Sequence, residues 1–244
     1  MNSVSASQRR SKILRILLDK GKVQIGELSQ LFGVSGETIR KDIIALEKKG
    51  LCKKNHGGAI GIGEKEEVEH SSENKLRMAQ KALEFIPQHS SIILDSGIIC
   101  EILAHSLISR KDITVITNSL TIALLLNKNE IKTYIIGGEV KNNSSMNLWT
   151  RMCIEQIMVD VAFIEAQGGK KGPGTESFEL AEVKRSMIKS AKEAYLFLDG
   201  SISQNDIFAT FASWQDFDAL ITDSNISTQS VSELKGKINV LIVH

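Results

Sequence analysis

Cysteine and proline are scarce in this sequence, and the few cysteines lie far apart. The chain of 244 residues has two prolines and three cysteines, Cys52, Cys100 and Cys153. An odd number of widely separated cysteines excludes a disulfide-stabilised scaffold and is typical of proteins in a reducing compartment. The five histidines are scattered and lack the spacing of metal ligands. The sequence therefore predicts neither a metal nor another cofactor.

Long apolar runs are also missing. No stretch approaches the roughly 18 consecutive apolar residues that span a bilayer, and the polar N-terminus lacks the apolar segment of a signal peptide. Hydrophobic residues make up 42% of the chain and charged residues 24%, which is ordinary for a globular protein. We therefore expect a soluble, cytoplasmic protein of one or two domains.

Positive charge is concentrated at one end of the chain. Residues 1–60 carry 12 Lys and Arg against five Asp and Glu, a net charge of +7. The remaining residues carry 18 against 24, a net charge of −6. Lysine and arginine gain free energy when they displace counterions from phosphates, so a basic head is typical of a polyanion-binding segment. An unevenly charged, solvated surface is the alternative interpretation.

The basic segment has the apolar spacing of three helices, predicted at about 9–18, 25–32 and 36–49. Between the second and third, Gly33 can adopt the left-handed backbone that ends a helix, and Ser35 is a favourable N-cap. This arrangement predicts a helix-turn-helix, whose second helix enters the major groove of DNA.

A β-wing is predicted after Gly50, where two short extended segments flank a turn within residues 51–60. Early residues of the recognition helix and cations of the wing are the candidate contacts to bases and phosphates. The candidate DNA-binding residues are Ser35, Glu37, Thr38, Arg40, Lys41, Lys53, Lys54 and His56. A solvated helix face for Arg40 and Lys41, and a locally bonded turn residue for His56, are the structural alternatives.

The remainder of the chain predicts an α/β domain. Residues 61–72 are glycine-rich and then charged, which indicates a linker between a DNA-binding domain at 1–60 and a larger domain at 73–244. Short apolar runs predict strands at 91–94, 114–117, 133–136, 161–165, 194–198, 219–221 and 239–243. Helical patterns alternate with them at about 73–86, 98–107, 119–126, 147–158, 179–191 and 228–235. Such alternation predicts a mostly parallel sheet covered by helices.

Ligands of such sheets bind at the carboxyl ends of the strands, where loops meet helix N-termini. Small and hydroxyl-bearing residues at these ends suit a polyhydroxylated, phosphorylated ligand. The candidate effector-binding residues are Asp95, Ser96, Gly97, Asn118, Ser119, Gly137, Gly138, Lys184 and Asp199. Helix capping by Asp95 and Ser119, and a plain turn at the glycine pair, are the alternatives. The glycine-rich, basic segment 168–174 is expected to be a flexible loop in solvent, with closure over an anion as the alternative.

The head resembles the winged-helix domain of DeoR-type transcriptional regulators in the runs Gly33-Val34-Ser35-Gly36-Glu37-Thr38-Ile39-Arg40-Lys41-Asp42 and His56-Gly57-Gly58-Ala59. The body continues the resemblance in the segments 75–79, 94–97, 117–119, 137–138, 183–188 and 198–199. The resemblance thus covers nearly the whole chain. It implies an oligomeric repressor of sugar-metabolism genes, with a sensor domain that is related to ribose-5-phosphate isomerase and binds a phosphorylated sugar.

The chain departs from that family at the effector loops. Family members usually carry threonines where this chain has Ile98 and Ile99, and a lysine where it has Ile202. Glu165 brings a negative charge to a stretch that resembles Gly-Ala-Asp-Gly in the family. A lost charge-assisted contact costs on the order of 1.5–3 kcal/mol. We therefore expect the effector to be a sugar phosphate or a related metabolite, with a weakly held sugar phosphate, an unphosphorylated sugar and another metabolite as the alternatives.

Two other functions stay open from the sequence. A sugar-phosphate isomerase would use Asp95 or Glu165 as a base, but it would also need a cation, and Ile202 stands where the family has one. As a catalytic cation Lys184 is unfavourable, because we expect it to face solvent or to pair with Glu179 or Glu182. The third function is that of a DNA-bound protein whose body only oligomerises. The sequence favours a DNA-binding repressor and not an enzyme.

Overall fold

The computed structural model describes residues 9–10, 12–13, 16–17, 22–47, 52–55, 57–61, 65–169, 172–200 and 207–244. Of the candidate site residues, His56 and Ile202 lie outside these ranges. The chain divides into two compact units, Met1–Ser71 and Ser72–His244.

The first unit is a helix-turn-helix with a small antiparallel sheet. Its helices are α1 (Ile25–Phe32) and α2 (Gly36–Glu47), and the described residues between 9 and 17 are also helical. Its strands are β1 (Lys22–Gln24), β2 (Cys52–Asn55) and β3 (Gly58–Gly61), in the sheet order β1-β3-β2. Apolar side chains at helical spacing close the core, among them Ile13, Leu17, Leu28, Ile39 and Ile43. The predicted winged helix-turn-helix fold is confirmed.

Local backbone chemistry sets the turn between α1 and α2. Gly33 ends α1 in the left-handed conformation (φ 62°), and its N–H donates to the Ser29 carbonyl. Ser35 precedes α2, and its hydroxyl accepts a hydrogen bond from the Thr38 N–H at 3.2 Å. The glycine C-cap and the serine N-cap are therefore formed as the sequence predicts.

Strand β1 was not predicted, and it fixes the wing to the helices. Val23 of β1 lies opposite Ala59 of β3 and is buried in the core of the unit. Gly58 packs so closely on β1 that a Cβ atom there would overlap the Val23 carbonyl oxygen. A three-residue strand has too little alternation to be recognised in a sequence.

The second unit is a parallel sheet covered by helices, as predicted. The helices are α3 (Lys65–Ala82), α4 (Ile98–Ser106), α5 (Leu120–Lys128), α6 (Leu148–Ile154), α7 (Phe178–Lys189) and α8 (Thr228–Leu234). Helix α3 begins at Lys65, within the segment that the sequence indicates as a linker, and the division between the two units falls inside it.

Seven strands form the central sheet: β4 (Ser91–Leu94), β5 (Thr114–Thr117), β6 (Lys132–Ile135), β9 (Val159–Glu165), β12 (Ala191–Phe197), β14 (Ala219–Asp223) and β15 (Asn239–Val243). Their order is β15-β14-β12-β9-β4-β5-β6, and every pair is parallel. From β4 the chain builds outward to β6 and then returns to place β9 on the other side of β4. The strand order therefore reverses between β4 and β9, which is where open α/β sheets form a ligand crevice.

Each face of this sheet has its own apolar core. Phe163, Phe197 and Leu103 belong to the core that helices α3, α4 and α5 cover. Ile164, Leu196 and Met187 belong to the opposite core, which α6, α7 and α8 cover. Strands buried on both faces read as continuous apolar runs, which explains why the sequence located them.

Two small sheets were not predicted. Strands β7 (Glu139–Lys141) and β8 (Ser144–Met146) form a hairpin, and β10 (Gln167–Gly169), β11 (Gly172–Thr175) and β13 (Ala209–Thr210) form an antiparallel sheet. The expectation of a solvent loop at 168–174 is wrong for its described residues, because Gly172, Pro173 and Gly174 are buried in β11. Close packing explains the glycines there: a Cβ at Gly172 would overlap the Ala212 carbonyl oxygen.

Candidate DNA-binding surface and candidate effector site

The N-terminal half of α2 presents a charged, exposed face. Glu37, Arg40 and Lys41 are all exposed, and the Arg40 Nη1 lies 3.4 Å from the Glu37 Oε2. An ion pair this exposed contributes little to stability, so the guanidinium is available to another partner. The hydroxyls of Ser35 and Thr38 lie 3.0 Å apart at the start of the helix. The structure thus brings together the five candidate residues that the sequence places on and before this helix.

Asp42, in the same sequence run, belongs to the core and not to this face. Its carboxylate is 2% exposed and pairs with the Arg9 Nε at 2.5 Å. Arg10 also approaches it, at 3.5 Å. Two of the twelve cations of the head therefore stabilise the first unit by fixing its first helical segment to α2.

The described part of the wing places one candidate cation in solvent. Lys54 of β2 is exposed, and its backbone N–H donates to the Glu47 Oε1 at 2.7 Å. Lys53 belongs to β2 as well. Gly57 has a φ of 88°, which accounts for a glycine between the two wing strands.

The candidate effector residues of the second unit gather at the carboxyl ends of its strands. Asp95, Ser96 and Gly97 follow β4, and Asn118 and Ser119 follow β5. Gly137 and Gly138 follow β6, and Asp199 follows β12. The first group therefore lies at the point where the strand order reverses.

A buried ion pair lies at this end of the sheet. Asp95 is fully buried, and its Oδ2 accepts a hydrogen bond from the Lys184 Nζ. Lys184 is 4% exposed and also donates to the Glu165 carbonyl oxygen at 2.7 Å. The Asp95 carboxylate further accepts from the Ser96 N–H at 2.7 Å and from the Glu165 N–H at 3.1 Å. The expectation that Lys184 pairs with a glutamate of its own helix or faces solvent is wrong.

The Glu165 carboxylate lies at the N-terminus of α4. Its Oε2 accepts a hydrogen bond from the Ile99 N–H at 2.8 Å. Gly97 is the N-cap residue, and a Cβ atom there would overlap the same carboxylate oxygen. Burial raises the pKa of Glu165, and the nearby Asp95 charge adds to that, while the Ile99 N–H, Lys184 and Lys75 oppose it. The two isoleucines differ: Ile98 is exposed, and Ile99 is buried in the core.

Asn118 joins the crevice from β5. Its Nδ2 donates to the Ser145 carbonyl oxygen at 3.0 Å and lies 3.4 Å from the Ser96 Oγ. A carbonyl oxygen only accepts hydrogen bonds, which fixes the orientation of the amide. The Asn118 Oδ1 is buried and accepts no hydrogen bond from any described residue.

The remaining candidates have structural partners. The Ser119 hydroxyl caps α5 by accepting from the Ile122 N–H at 3.3 Å. The Gly137 carbonyl accepts from the Thr150 hydroxyl at 3.0 Å, and a Cβ at Gly138 would overlap that hydroxyl. Asp199 pairs with Lys75 of α3 at 3.3 Å. These contacts support the capping and turn alternatives for Ser119 and the glycine pair.

Comparison with known proteins identifies both units. Residues 9–65 match the model of the DeoR-like helix-turn-helix domain, and residues 70–224 match that of the DeoR C-terminal sensor domain. The chain belongs to the DeoR family. It is thus a helix-turn-helix transcriptional regulator, and the resemblance stated from its sequence is confirmed.

Curated DeoR-family relatives align with nearly the whole chain. The chain is similar to the uncharacterized HTH-type transcriptional regulator YulB of Bacillus subtilis, at 32% identity over 95% of this chain and 94% of the relative. It is 28% identical to the lactose phosphotransferase system repressor of Staphylococcus epidermidis, over 89% of this chain and 92% of that protein. The glycerol-3-phosphate regulon repressor of Escherichia coli is also 28% identical, over 89% and 91%.

Among solved structures, ribose 5-phosphate isomerase A of Methanocaldococcus jannaschii overlaps 55% of this chain and 56% of its own, with a TM-score of 0.41 and 16% identity. Among the described residues of this DeoR-family protein, no group of three or more His, Cys, Asp or Glu is placed to hold a metal ion. None of the described helices is both long and apolar enough to cross a membrane.

Three residues of the crevice and its surroundings were not predicted from the sequence: Asn74, Ser145 and Thr150. Ser145 reaches Asn118 only because the unpredicted β7–β8 hairpin folds back, and Thr150 holds the glycine pair from α6. Asn74 of α3 donates to Asp223 at 3.1 Å, across 149 residues. No local pattern in the sequence indicates any of these long-range contacts.

Proposed function

We propose that this DeoR-family protein represses genes of carbohydrate metabolism, and that a sugar phosphate or a related metabolite controls it. In this proposal the face of α2 with Arg40 and Lys41 contacts operator DNA, with Ser35, Glu37 and Thr38 beside it. Lys53, Lys54 and His56 of the wing follow the phosphate backbone. The protein acts in the cytoplasm as an oligomer.

The exposed cationic face of α2 is the observation that carries the DNA-binding assignment. The helix is fixed in the helix-turn-helix by its serine cap and by the buried Asp42–Arg9 pair. Arg40 and Lys41 are left on the solvent side of it. Arginine forms bidentate hydrogen bonds to guanine in the major groove, and lysine contacts phosphates.

The reversal of strand order between β4 and β9 supports the effector assignment. It gathers a buried ion pair, a hydroxyl and an amide in one crevice, with Asp95, Lys184, Ser96 and Asn118. Two relatives are named as repressors of the lactose phosphotransferase system and the glycerol-3-phosphate regulon. Such names favour a carbohydrate-derived effector for this chain.

Regulation would operate by linkage between two binding events. An effector that prefers one arrangement of the DNA-binding units changes the affinity for DNA by its differential binding free energy. An isomerase activity is not favoured, because Asp95 is engaged by Lys184 and the Glu165 carboxylate by a backbone N–H. Neither carboxylate is placed as an available base.

Selection of genomic fragments by the full-length protein tests the proposal. We expect enrichment of a short, two-fold-related sequence next to genes of carbohydrate use. Addition of the sugars and sugar phosphates of that pathway should then change the affinity for the selected fragment. Failure to retain any genomic fragment at low ionic strength, with and without these compounds, would contradict the DNA-binding assignment.

A further inference from the structure

The N-terminus of α4 already holds an anion that belongs to the protein. Backbone N–H groups at the start of a helix are unsatisfied within the helix and attract phosphate or carboxylate. Gly97, the N-cap residue of this nine-residue helix, has no side chain to satisfy them. The Glu165 carboxylate takes this place, because its Oε2 accepts from the Ile99 N–H at 2.8 Å and fills the space beside Gly97.

The described cations around the crevice are also engaged. The Lys184 ammonium group donates to Asp95 and to the Glu165 carbonyl, and Lys75 pairs with Asp199 at 3.3 Å. A ligand phosphate would therefore meet three carboxylates, Asp95, Glu165 and Asp199, against two lysines that are already paired with them. The negative charges of these carboxylates disfavour the binding of a phosphate, and they do so more strongly because the site is poorly solvated.

The crevice contains a buried hydrogen-bond acceptor that is unmatched. The Asn118 Oδ1 has no donor among the described residues, and leaving such a group unsatisfied costs free energy. The Ser96 hydroxyl lies 3.4 Å from the same amide and can donate or accept. A phosphate dianion brings acceptors only, whereas a hydroxyl group brings a donor. The unmatched acceptor therefore favours a ligand rich in hydroxyls.

We propose that Glu165 is a built-in substitute for a ligand phosphate, and that the crevice selects an uncharged sugar or sugar alcohol. The carboxylate occupies the anion position on α4, and the hydroxyls of the ligand donate to acceptors along the carboxyl ends of β4, β5 and β9. This inference rests on the proposed function, because it names the class of effector for the same site.

Titration calorimetry of the full-length protein with inorganic phosphate tests directly whether Glu165 takes the place of a ligand phosphate. Glu165→Ala removes the carboxylate and opens the space beside Gly97, so we expect phosphate affinity to rise by about tenfold or more over wild type, which corresponds to about 1.4 kcal/mol. Glu165→Gln keeps the acceptor and the volume, so its gain should be clearly smaller. Glu233→Gln, at an exposed position of α8, matches the change of charge and should leave phosphate binding unchanged.

Paired compounds test the ligand class with the same proteins. Glycerol, glucose, fructose and glucitol are each compared with a phosphorylated form by thermal shift and calorimetry. We expect wild type to bind at least one uncharged member more tightly than its phosphorylated form, and Glu165→Ala to shift the preference towards the phosphorylated form. Tighter binding of the phosphorylated forms by wild type, or no binding of any uncharged member, would overturn the ligand class. If Glu165→Ala gains no affinity for phosphate while Glu165→Gln is folded as a reference, the proposal that Glu165 takes the place of a ligand phosphate is overturned.

Operator binding separates this inference from the function on which it rests. Gel shifts with a selected genomic fragment report whether a bound compound changes DNA affinity, which calorimetry does not measure. One outcome is that Glu165→Ala gains affinity for phosphate and wild type binds an uncharged sugar, but no compound changes the affinity for DNA. The ligand class then stands and the regulatory role fails. If an effect on DNA affinity comes only from phosphorylated compounds in wild type, the regulatory role stands and the inference fails.

Discussion

The Lys184 ammonium group is almost completely buried, and its partner Asp95 is fully so. Removal of one partner from such a pair leaves an uncompensated charge in a poorly solvated place. We expect Lys184→Met to lower the free energy of unfolding by about 3–5 kcal/mol. Urea denaturation measures this loss. Lys189→Met, at an exposed position of the same helix, is the matched control and should change stability by less than about 0.5 kcal/mol.

Glu165 makes stability depend on pH in a defined direction. Because burial raises its pKa above the ordinary value of 4.5, the folded protein binds this proton more tightly than the unfolded chain. Stability from this group is fully present below pH 4.5 and is lost as pH rises through the higher pKa of the folded state. The charges that act on it are Asp95, Lys184 and Lys75.

Glu165→Gln should therefore have a higher melting temperature than wild type near pH 8, with a difference that shrinks as pH falls towards 5. Scanning calorimetry over this range measures it. Glu139→Gln, on the exposed strand β7, should show no such trend. A difference that is constant with pH would mean that the carboxyl group does not titrate in this way.

The sequence located the residues of the crevice better than it assigned their partners. Asp95, Ser96 and Asn118 were predicted because they follow apolar strands, which is a local signal. The partner of Lys184 was predicted wrongly, since helical spacing indicates neighbours three or four residues away and Asp95 is 89 residues distant. Glu165 was recognised as a negative charge, but its place on α4 depends on the order of the strands.

Helix α2 depends on its serine cap. Ser35→Ala removes the hydroxyl that accepts from the Thr38 N–H, and loss of such a cap costs about 0.5–2 kcal/mol. Thermal denaturation, followed through the unfolding transition of the first unit, should show this decrease in stability. Ser35→Asp retains an acceptor at the cap and should restore most of the stability. An equal loss in both variants would indicate that capping is not the cause.

Strand and helix predictions succeeded where apolar runs are long and failed where glycine dominates. The predicted strands 91–94, 114–117 and 239–243 agree with β4, β5 and β15 residue for residue. Strands β10 and β11 were not predicted because Gly168, Gly172 and Gly174 carry no side chain with a strand preference. Their extended form comes from pairing with each other, from the pairing of β11 with β13, and from close backbone packing, and a sequence pattern shows none of these.

Charge is divided unequally along the whole chain, and this predicts how DNA binding responds to salt. The logarithm of the association constant should fall linearly with that of the salt concentration, with a slope of about −0.9 for each phosphate contact. Lys41→Ala and Lys54→Ala should each reduce the slope by about one if their side chains contact phosphates. Fluorescence anisotropy with a labelled fragment measures this.

Lys132→Ala provides the comparison, because this exposed lysine lies on strand β6 of the second unit. It should leave the slope unchanged. Arg40→Ala should instead weaken binding by roughly 1–3 kcal/mol and relax the preference at one base pair, if Arg40 contacts a base. Unaltered affinity and preference in this variant would remove Arg40 from the contact surface.

The architecture of the larger unit was predicted as a class but not as an arrangement. Alternating helices and apolar strands indicate a parallel sheet, yet many strand orders satisfy the same alternation. The return of β9 to the side of β4 brings Glu165 to α4. Long-range packing determines this order. No local sequence pattern therefore indicates the contact between Glu165 and Ile99.

The close fit of Glu165 against Gly97 has an evolutionary consequence. Any side chain at position 97 would collide with the carboxylate, so the glycine has to persist for as long as the glutamate does. Position 165 is under no such restraint, and a single nucleotide change converts a glutamate codon to one for alanine or glycine. If Glu165 sets the class of ligand, a lineage that carries this sensor is one mutation away from responding to a different set of nutrients, through a change that lies outside the DNA-binding unit.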